Sequence, residues 1–311
     1  MSSHVELKSR TIVGAVPGPH LLVIGGVHGD EFEPMATCRE LLRTVDASQL
    51  KGKLTVVPVV NEPAFARCHR TGEDQLDLAR VCPGDDAGSE TRRIAAALSR
   101  LIHAADALVD LHTAGSRYQM LSLAGYSLHP DSGVLDKQRA MAKAFGLPIV
   151  WGTNPRFNGT SLSVARDALK PAIYVENGGG AGCDRPRVEQ NVFGCRQVLR
   201  VWGMLDEPVE PRSLRYFVED DRDHSGHLQR QHPAPMAGFF EPQVELGATV
   251  AAGQRLGQVV DPLGETAHEV LAADAGTVLF LRTFPSVQPG DCLASLLPIN
   301  APGEVRYERG V

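Results

Sequence analysis

His28 and Glu31 stand three residues apart in the segment Gly25-Gly26-Val27-His28-Gly29-Asp30-Glu31, directly after an apolar run. Glycine lets a chain turn sharply beside a ligand, and a histidine and a glutamate at this spacing can bring an imidazole nitrogen and a carboxylate to one cation. The same spacing also occurs on ordinary protein surfaces. A second apolar run ends in Val109-Asp110-Leu111-His112-Thr113 and delivers another histidine. Two histidines and one glutamate with a fourth position open make the ligand set of catalytic rather than structural zinc. One Zn2+ per chain, held by His28, Glu31 and His112, is the expected cofactor. Asp110 either orients His112 through its other ring nitrogen or caps a turn at the strand end.

A hydrolytic zinc needs a base for its water. The run Ala172-Ile173-Tyr174-Val175-Glu176-Asn177-Gly178-Gly179-Gly180 offers a carboxylate at a third strand end. Beside a metal that lowers the pKa of bound water to about 7, such a glutamate can take the proton. A dinucleotide-binding loop is excluded, because Gly178-x-Gly180 would require glycine where Cys183 stands. Arg70 and Arg80 follow a fourth strand, after Asn61-Glu62-Pro63-Ala64-Phe65 and within Asp77-Leu78-Ala79-Arg80. Guanidinium groups there suit polarising a carbonyl and holding a carboxylate bidentately.

These residues need a scaffold that gathers strand ends. Apolar runs over His20–Ile24, Leu54–Val60, Ala107–Leu111, Gln119–Ala124, Leu147–Trp151 and Ala172–Val175 predict strands. Helical spacing predicts helices over Pro34–Val45, Ser89–Ala104, Ser132–Phe145, Ser161–Leu169 and Val188–Leu205, with Ser89 as an N-cap and Gly146 closing the third. Strands alternating with helices imply a twisted, largely parallel sheet covered on both faces, with its chemistry at the carboxyl ends of the strands. Helical periodicity disappears after residue 206, and from Pro233 onward short apolar stretches alternate with glycine and proline. That is all-β texture. Residues 1–210 are expected to form the catalytic domain and 211–311 a β-rich domain. Two segments of the latter, Glu245–Gly257 and Ser286–Leu293, resemble the strand–turn–strand units of biotinyl/lipoyl-type hammerhead domains, without a Met-Lys-Met attachment hairpin.

Together the segments from about residue 20 to 180 resemble the succinylglutamate desuccinylase/aspartoacylase family, a branch of the zinc-carboxypeptidase-like superfamily. The matching motifs are the Gly-Gly-x-His-Gly-x-Glu strand end, the Asn61 stretch leading to Arg70, Asp77-Leu78-Ala79-Arg80, Asp110-Leu111-His112 and Glu176 with its glycines. The resemblance implies a mixed, largely parallel sheet flanked by helices and followed by a hammerhead- or barrel-like β domain. It implies that His28, Glu31 and His112 bind zinc, that Glu176 is the general base and that Arg70 polarises the scissile carbonyl. Arg80 would hold a substrate carboxylate, with Arg166, Asp77 and Asn177 as further substrate contacts. The activity implied is removal of a small acyl group, acetyl or succinyl, from the amine of an N-acyl amino acid; the substrate would be small and anionic. The alternatives are a carboxypeptidase-like hydrolase and a binding protein that keeps the fold without turnover. Ala79 replaces an asparagine of the family pattern, and Glu62 splits its Asn-Pro pair. Family members can lend a tyrosine from the second domain to the site; here Tyr216 and Tyr307 are the tail's tyrosines.

Length and composition bound the rest. With 311 residues, 43% hydrophobic and 22% charged, the chain has the composition of a globular protein of about two domains. A formal net charge of −6 without blocks of like charge argues against nucleic acid or an anionic membrane as partner. No apolar run approaches the roughly 20 residues of a membrane span. Met1–Arg10 is charged rather than apolar, so a cytoplasmic setting is expected, with reduced cysteines and possible homo-oligomerisation. His224, His227 and His232 fall in a polar linker, His69 in a loop beside Arg70, His103 near a helix end, and Trp151 and Trp202 read as core.

Overall fold

The computed structural model describes residues 4–223, 231–298 and 305–306. In chain order the first part carries β1 (Arg10–Val13), β2 (Val16–Ile24), α1 (Phe32–Thr44), β3 (Lys51–Val57), α2 (Glu62–Ala66), a 3-10 turn (Leu78–Arg80) and α3 (Glu90–Ala104). Then come β4 (Ala107–His112), β5 (Tyr118–Met120), β6 (Leu123–Ser127), α4 (Ser132–Phe145), β7 (Ile149–Thr153), α5 (Ser161–Asp167), β8 (Ala172–Glu176), α6 (Arg185–Val201) and β9 (Tyr216–Glu219). The rest is β structure: β10 (Gly238–Pro242), β11 (Thr249–Val250), β12 (Arg255–Val260), β13 (Ala267–Leu271), β14 (Gly276–Arg282), β15 (Ser286–Val287), β16 (Ala294–Pro298) and β17 (Val305–Arg306).

The main sheet has nine strands in the order β1-β3-β2-β4-β8-β6-β7-β9-β17. Its neighbours run parallel except at β1·β3, β8·β6 and β9·β17. Alternation along the central strands sorts the side chains into two layers. Leu21 and Val23 of β2, Val109 and Leu111 of β4, and Ile173 and Val175 of β8 face α1, α4 and α6, where they pack with Cys38, Met141, Phe145 and Val198. Leu22, Ile24, Leu108 and Ala172 face α3 and α5, with Ile94, Leu98 and Val164. On that second face the row changes character toward the strand ends. Leu108 pairs with Ala172, then Asp110 with Tyr174, then His112 with Glu176. The core thus grades into the candidate site within two residue pairs.

The second part forms two antiparallel sheets, β13-β12-β10-β15 and β11-β14-β16. The expected strand Gln119–Ala124 is two strands that serve different sheets. β5 leaves the main sheet and pairs antiparallel with β14, Tyr118 opposite Arg282 and Met120 opposite Phe280. β6 begins at Leu123, opposite Glu176. The break lies at Leu121 and Ser122: the Leu121 N–H donates to Leu279 and the Ser122 hydroxyl to Asn177, 2.6 Å away. A shared apolar layer seals the join, with Leu123, Ile149 and Trp151 from the main sheet against Leu279, Phe280 and Cys292.

Smaller differences have local causes. β3 stops at Val57 because Pro58 lacks the N–H a central strand would use. Ser89 sits at the cap position of α3 without a side-chain cap bond, and the Asp74 carboxylate accepts from the Thr91 N–H instead. Gly146 closes α4 as expected, with a positive φ of 83°. His232 braces the second part, its Nε2 accepting from the Ala273 N–H at 3.1 Å; His224, His227 and Tyr307 lie outside the described residues. All six cysteines are free thiols. No helix among the described residues is long and apolar enough to cross a membrane.

Candidate active site

The loop after β2 carries His28 and Glu31 into the interior because it can pass directly over α2. A Cβ on Gly29 would lie 2.0 Å from the Ala64 carbonyl carbon, so only glycine permits this approach. His28 Nδ1 lies 2.7 Å from Glu31 Oε1, and His112 Nδ1, at the end of β4, lies 3.1 Å from Glu31 Oε2. One donor atom from each of the three residues falls within 4.8 Å of the others, and all three residues are buried. This group can hold a metal ion. The outer nitrogens are also engaged: His28 Nε2 is 3.1 Å from Asp77 Oδ1, and His112 Nε2 is 3.0 Å from Asp110 Oδ1. Ser161 donates to the other Asp110 oxygen. Each imidazole therefore presents Nδ1 inward with a carboxylate behind it, the arrangement that fixes a ligating histidine.

The electrostatics of the cluster call for positive charge. Burial alone would push the Glu31 carboxyl up, yet His28 and His112 together hold it far below the usual carboxylate range. Burial disfavours charge on His112, but Asp110 and Glu31 outweigh it and raise its pKa well above the ordinary value. A cation replacing those protons meets the same demand.

Arg70 reaches the cluster from the loop after α2. Its Nε and Nη2 donate to Asp77 Oδ2 at 3.1 and 2.9 Å, leaving Nη1 facing His28 Nδ1 at 3.4 Å and Glu31 Oε1 at 3.9 Å. Burial opposes charge on Asp77, but the His28 contact and Arg70 keep it ionised. Its Oδ1 also accepts the Ala79 N–H at 2.9 Å, which fixes the turn that carries Arg80. Arg80 is exposed at the cavity mouth with its guanidinium 5.0 Å from the Phe157 ring centre.

Glu176 completes the wall at the end of β8, beside His112. Its Oε2 is shut off from solvent and has no hydrogen-bond partner among the described residues. Burial, reinforced by Glu31, pushes its pKa up to about 8 against the pull of His112 and Arg70. These residues surround a cavity of about 440 Å3. It holds a buried carboxyl raised in pKa, a fixed guanidinium and a cluster that can hold a cation. Such a set can hydrolyse a polarised carbonyl derivative.

The family model of the succinylglutamate desuccinylase/aspartoacylase catalytic domain matches residues 17–201. The chain belongs to this family. The N-alpha-acetyl-L-2,4-diaminobutyric acid deacetylase of Halomonas elongata is 29% identical over 295 residues, which are 93% of this chain and 85% of that protein. A succinylglutamate desuccinylase from Silicibacter sp. has a crystal structure with a TM-score of 0.85 at 26% identity, over 93% of this chain and 87% of that one. The product-bound ectoine utilization protein EutE of Ruegeria pomeroyi gives 0.84 at 28% identity, over the same shares.

Some residues that resemblance to the desuccinylase/aspartoacylase family brings to the substrate are not brought there by this fold. Arg166 does not line the cavity. Its guanidinium donates to the Pro155 carbonyl, to Asn158 Oδ1 at 2.8 Å and to Asp167 at 2.8 Å, and so braces the 155–158 loop. Asn177 is fully buried behind the site, where its amide donates to Asn191 at 2.9 Å and its oxygen accepts from Ser122. Tyr216 packs in the layer between the two parts. The second part of this family member instead contributes Phe280, which lines the cavity together with Met120 of β5. Tyr174, Phe157 and Ser161 also line it and were not singled out by motif. For Tyr174 a signal existed: it stands two residues before Glu176 on a strand, hence on the same face.

Proposed function

We propose that the protein is a zinc-dependent amidohydrolase that removes a small acyl group from the amine of an N-acyl amino acid. The observation that carries the reading is the convergence of His28, Glu31 and His112 on one point, with Glu176 in register beside His112. The relatives named as deacetylase and desuccinylase support the same class of reaction. Two imidazoles and one carboxylate, each imidazole backed by an aspartate, fit zinc with an open coordination position. When bound, zinc supplies Lewis acidity and makes water acidic enough to ionise near pH 7.

The chain's own residues do the rest. Arg80 holds the substrate carboxylate at the cavity mouth, and Arg70, fixed by Asp77, directs Nη1 at the carbonyl oxygen and stabilises its developing charge. Glu176 accepts a proton from water as the water oxygen bonds to the carbonyl carbon. It then gives that proton to the amine nitrogen as the C–N bond breaks, releasing a carboxylate and a free amine.

Purified protein is expected to contain about one equivalent of zinc, and a chelator should abolish deacylation of N-acetyl or N-succinyl amino acids until zinc is restored. Release of amino acids from the carboxyl end of short peptides, with no deacylation, would overturn the reading in favour of a carboxypeptidase. Asp110→Ala should weaken zinc binding by about 10- to 100-fold, because His112 loses the carboxylate that orients it. Competition with a chromogenic zinc chelator measures this, and unchanged affinity would deny Asp110 that role.

A further inference from the structure

The cavity spans the sheet from β2 and β4 to β6 and β7, and its two ends differ in chemistry. Among the described residues its cationic side chains, His28, His112, Arg70 and Arg80, belong to the candidate metal cluster or the 70–80 segment. At the other end the lining is neutral: Ser127 closes β6 opposite Thr153 of β7, with Asn154 and Ser163 beside them. Arg166, on the adjacent α5, is turned away to the 155–158 carbonyls.

Tyr174 joins the two ends. On β8 it pairs with Asp110 on one side and with Gly125 of β6 on the other, and it shares its face with Glu176. A Cβ on Gly125 would lie 2.2 Å from the Tyr174 ring and 2.5 Å from its hydroxyl oxygen. The ring therefore lies across β6 in space that glycine alone leaves open. Burial keeps the phenol protonated. Neighbouring hydroxyls are spent inside the fold, Ser161 on Asp110, Ser163 on the Thr160 carbonyl and Thr153 on the Tyr126 carbonyl. Among the described residues the Tyr174 hydroxyl has no such bond, and Tyr174 lines the cavity.

We propose that Tyr174 is a substrate-positioning residue whose oxygen accepts a hydrogen bond from the substrate side chain, and that the β6–β7 end takes a side chain ending in an N–H donor. This rests on the N-acyl amino acid reading above. Amide and ammonium groups share the required chemistry. The carboxylates of Asp110 and Glu176 flank Tyr174 and favour either one. Among the described residues no cation lines that end, so a second carboxylate there would be buried without one of them to pair it, which is strongly unfavourable.

The test compares N-acetyl derivatives of glutamine, 2,4-diaminobutyrate, glutamate and alanine on the zinc-loaded enzyme, wild type and Tyr174→Phe. Wild type should prefer glutamine or diaminobutyrate over glutamate by about 100-fold or more in kcat/KM. Tyr174→Phe should raise KM for the preferred substrate about tenfold, leave its kcat within about twofold, and leave the alanine derivative unchanged. Which of the two donors is better identifies the group as amide or ammonium. Glutamate turned over as well as glutamine and diaminobutyrate, or an equal KM change for alanine, overturns the proposal. Calorimetric binding of the free amino acids to both proteins separates this from failure of the reaction assignment. If no panel member is deacylated, weaker binding of glutamine or diaminobutyrate to Tyr174→Phe still upholds the contact, and equal binding refutes it.

Discussion

Glu176→Gln is expected to lower kcat for deacylation by about 100- to 10,000-fold while zinc content and fold persist. Gln keeps the shape of the side chain and removes only its capacity to take and return a proton. The same substitution should stabilise the metal-free protein. The Glu176 carboxyl, raised by burial to about 8, ionises at a higher pH in the folded state than in the unfolded chain. Its contribution to stability is therefore fully present below the unfolded pKa and is lost as pH rises through the folded one. In chelated wild-type protein, stability falls between about pH 4.5 and 8, by an amount on the order of 3 kcal/mol at pH 7, and the Gln variant lacks that slope. Urea unfolding at pH 5 and pH 7.5 measures it. Near-normal turnover in the variant would remove Glu176 from the proton transfer. Loss of turnover together with lower stability at pH 7.5 would mark it as a structural acid.

Arg282→Met is expected to destabilise the protein by about 3–5 kcal/mol, because the several acceptors of a buried guanidinium lose their charged donor. Arg282 is only 2% exposed. It donates to the Phe284 carbonyl at 2.9 Å, to the Tyr118 hydroxyl at 3.0 Å and to the Ser286 carbonyl, with Asp291 Oδ2 at 3.2 Å. Its guanidinium also lies 5.4 Å from the Tyr118 ring centre. One side chain thus ties β5 to β14 and to the start of β15. Tm should drop by roughly 5–8 °C in a thermal melt. A drop below about 2 °C would mean the contacts add little. Arg282→Lys restores the charge without the planar fork and should recover only part of the loss.

The candidate metal cluster is legible in the sequence because His28 and Glu31 closely follow one apolar run and His112 ends another, and parallel strands bring such ends to one edge. Glu176 follows by the same logic. Arg70 and Arg80 are legible only through their motifs, since their aim depends on Asp77, which buttresses both. The misplacement of Arg166 has a physical cause. The resemblance places it at a pocket position, but its direction is set by hydrogen bonds to the Pro155 and Phe157 carbonyls, which no spacing encodes. Asn177 fails likewise, because a buried amide beside Asn191 and Ser122 must spend its bonds there. The strands β1 and β9 span only four residues each, too short for a periodicity to announce them, and Phe280 enters the cavity through strand pairing that local periodicity cannot foresee.

The pairing of β5 with β14 also sets a schedule for synthesis. Tyr118 and Arg282 are 164 residues apart, so at about 5–20 residues per second the ribosome delivers β14 roughly 8–33 s after β5. For most of that interval the nascent chain carries the strands that position His28, Glu31 and His112 beside an unpaired β5 and an unsealed apolar layer, Leu123, Ile149 and Trp151. The last third of the chain thus acts during translation as the partner that protects the first two thirds. Arrested nascent chains ending before residue 276 should recruit holdase chaperones that chains released at full length do not.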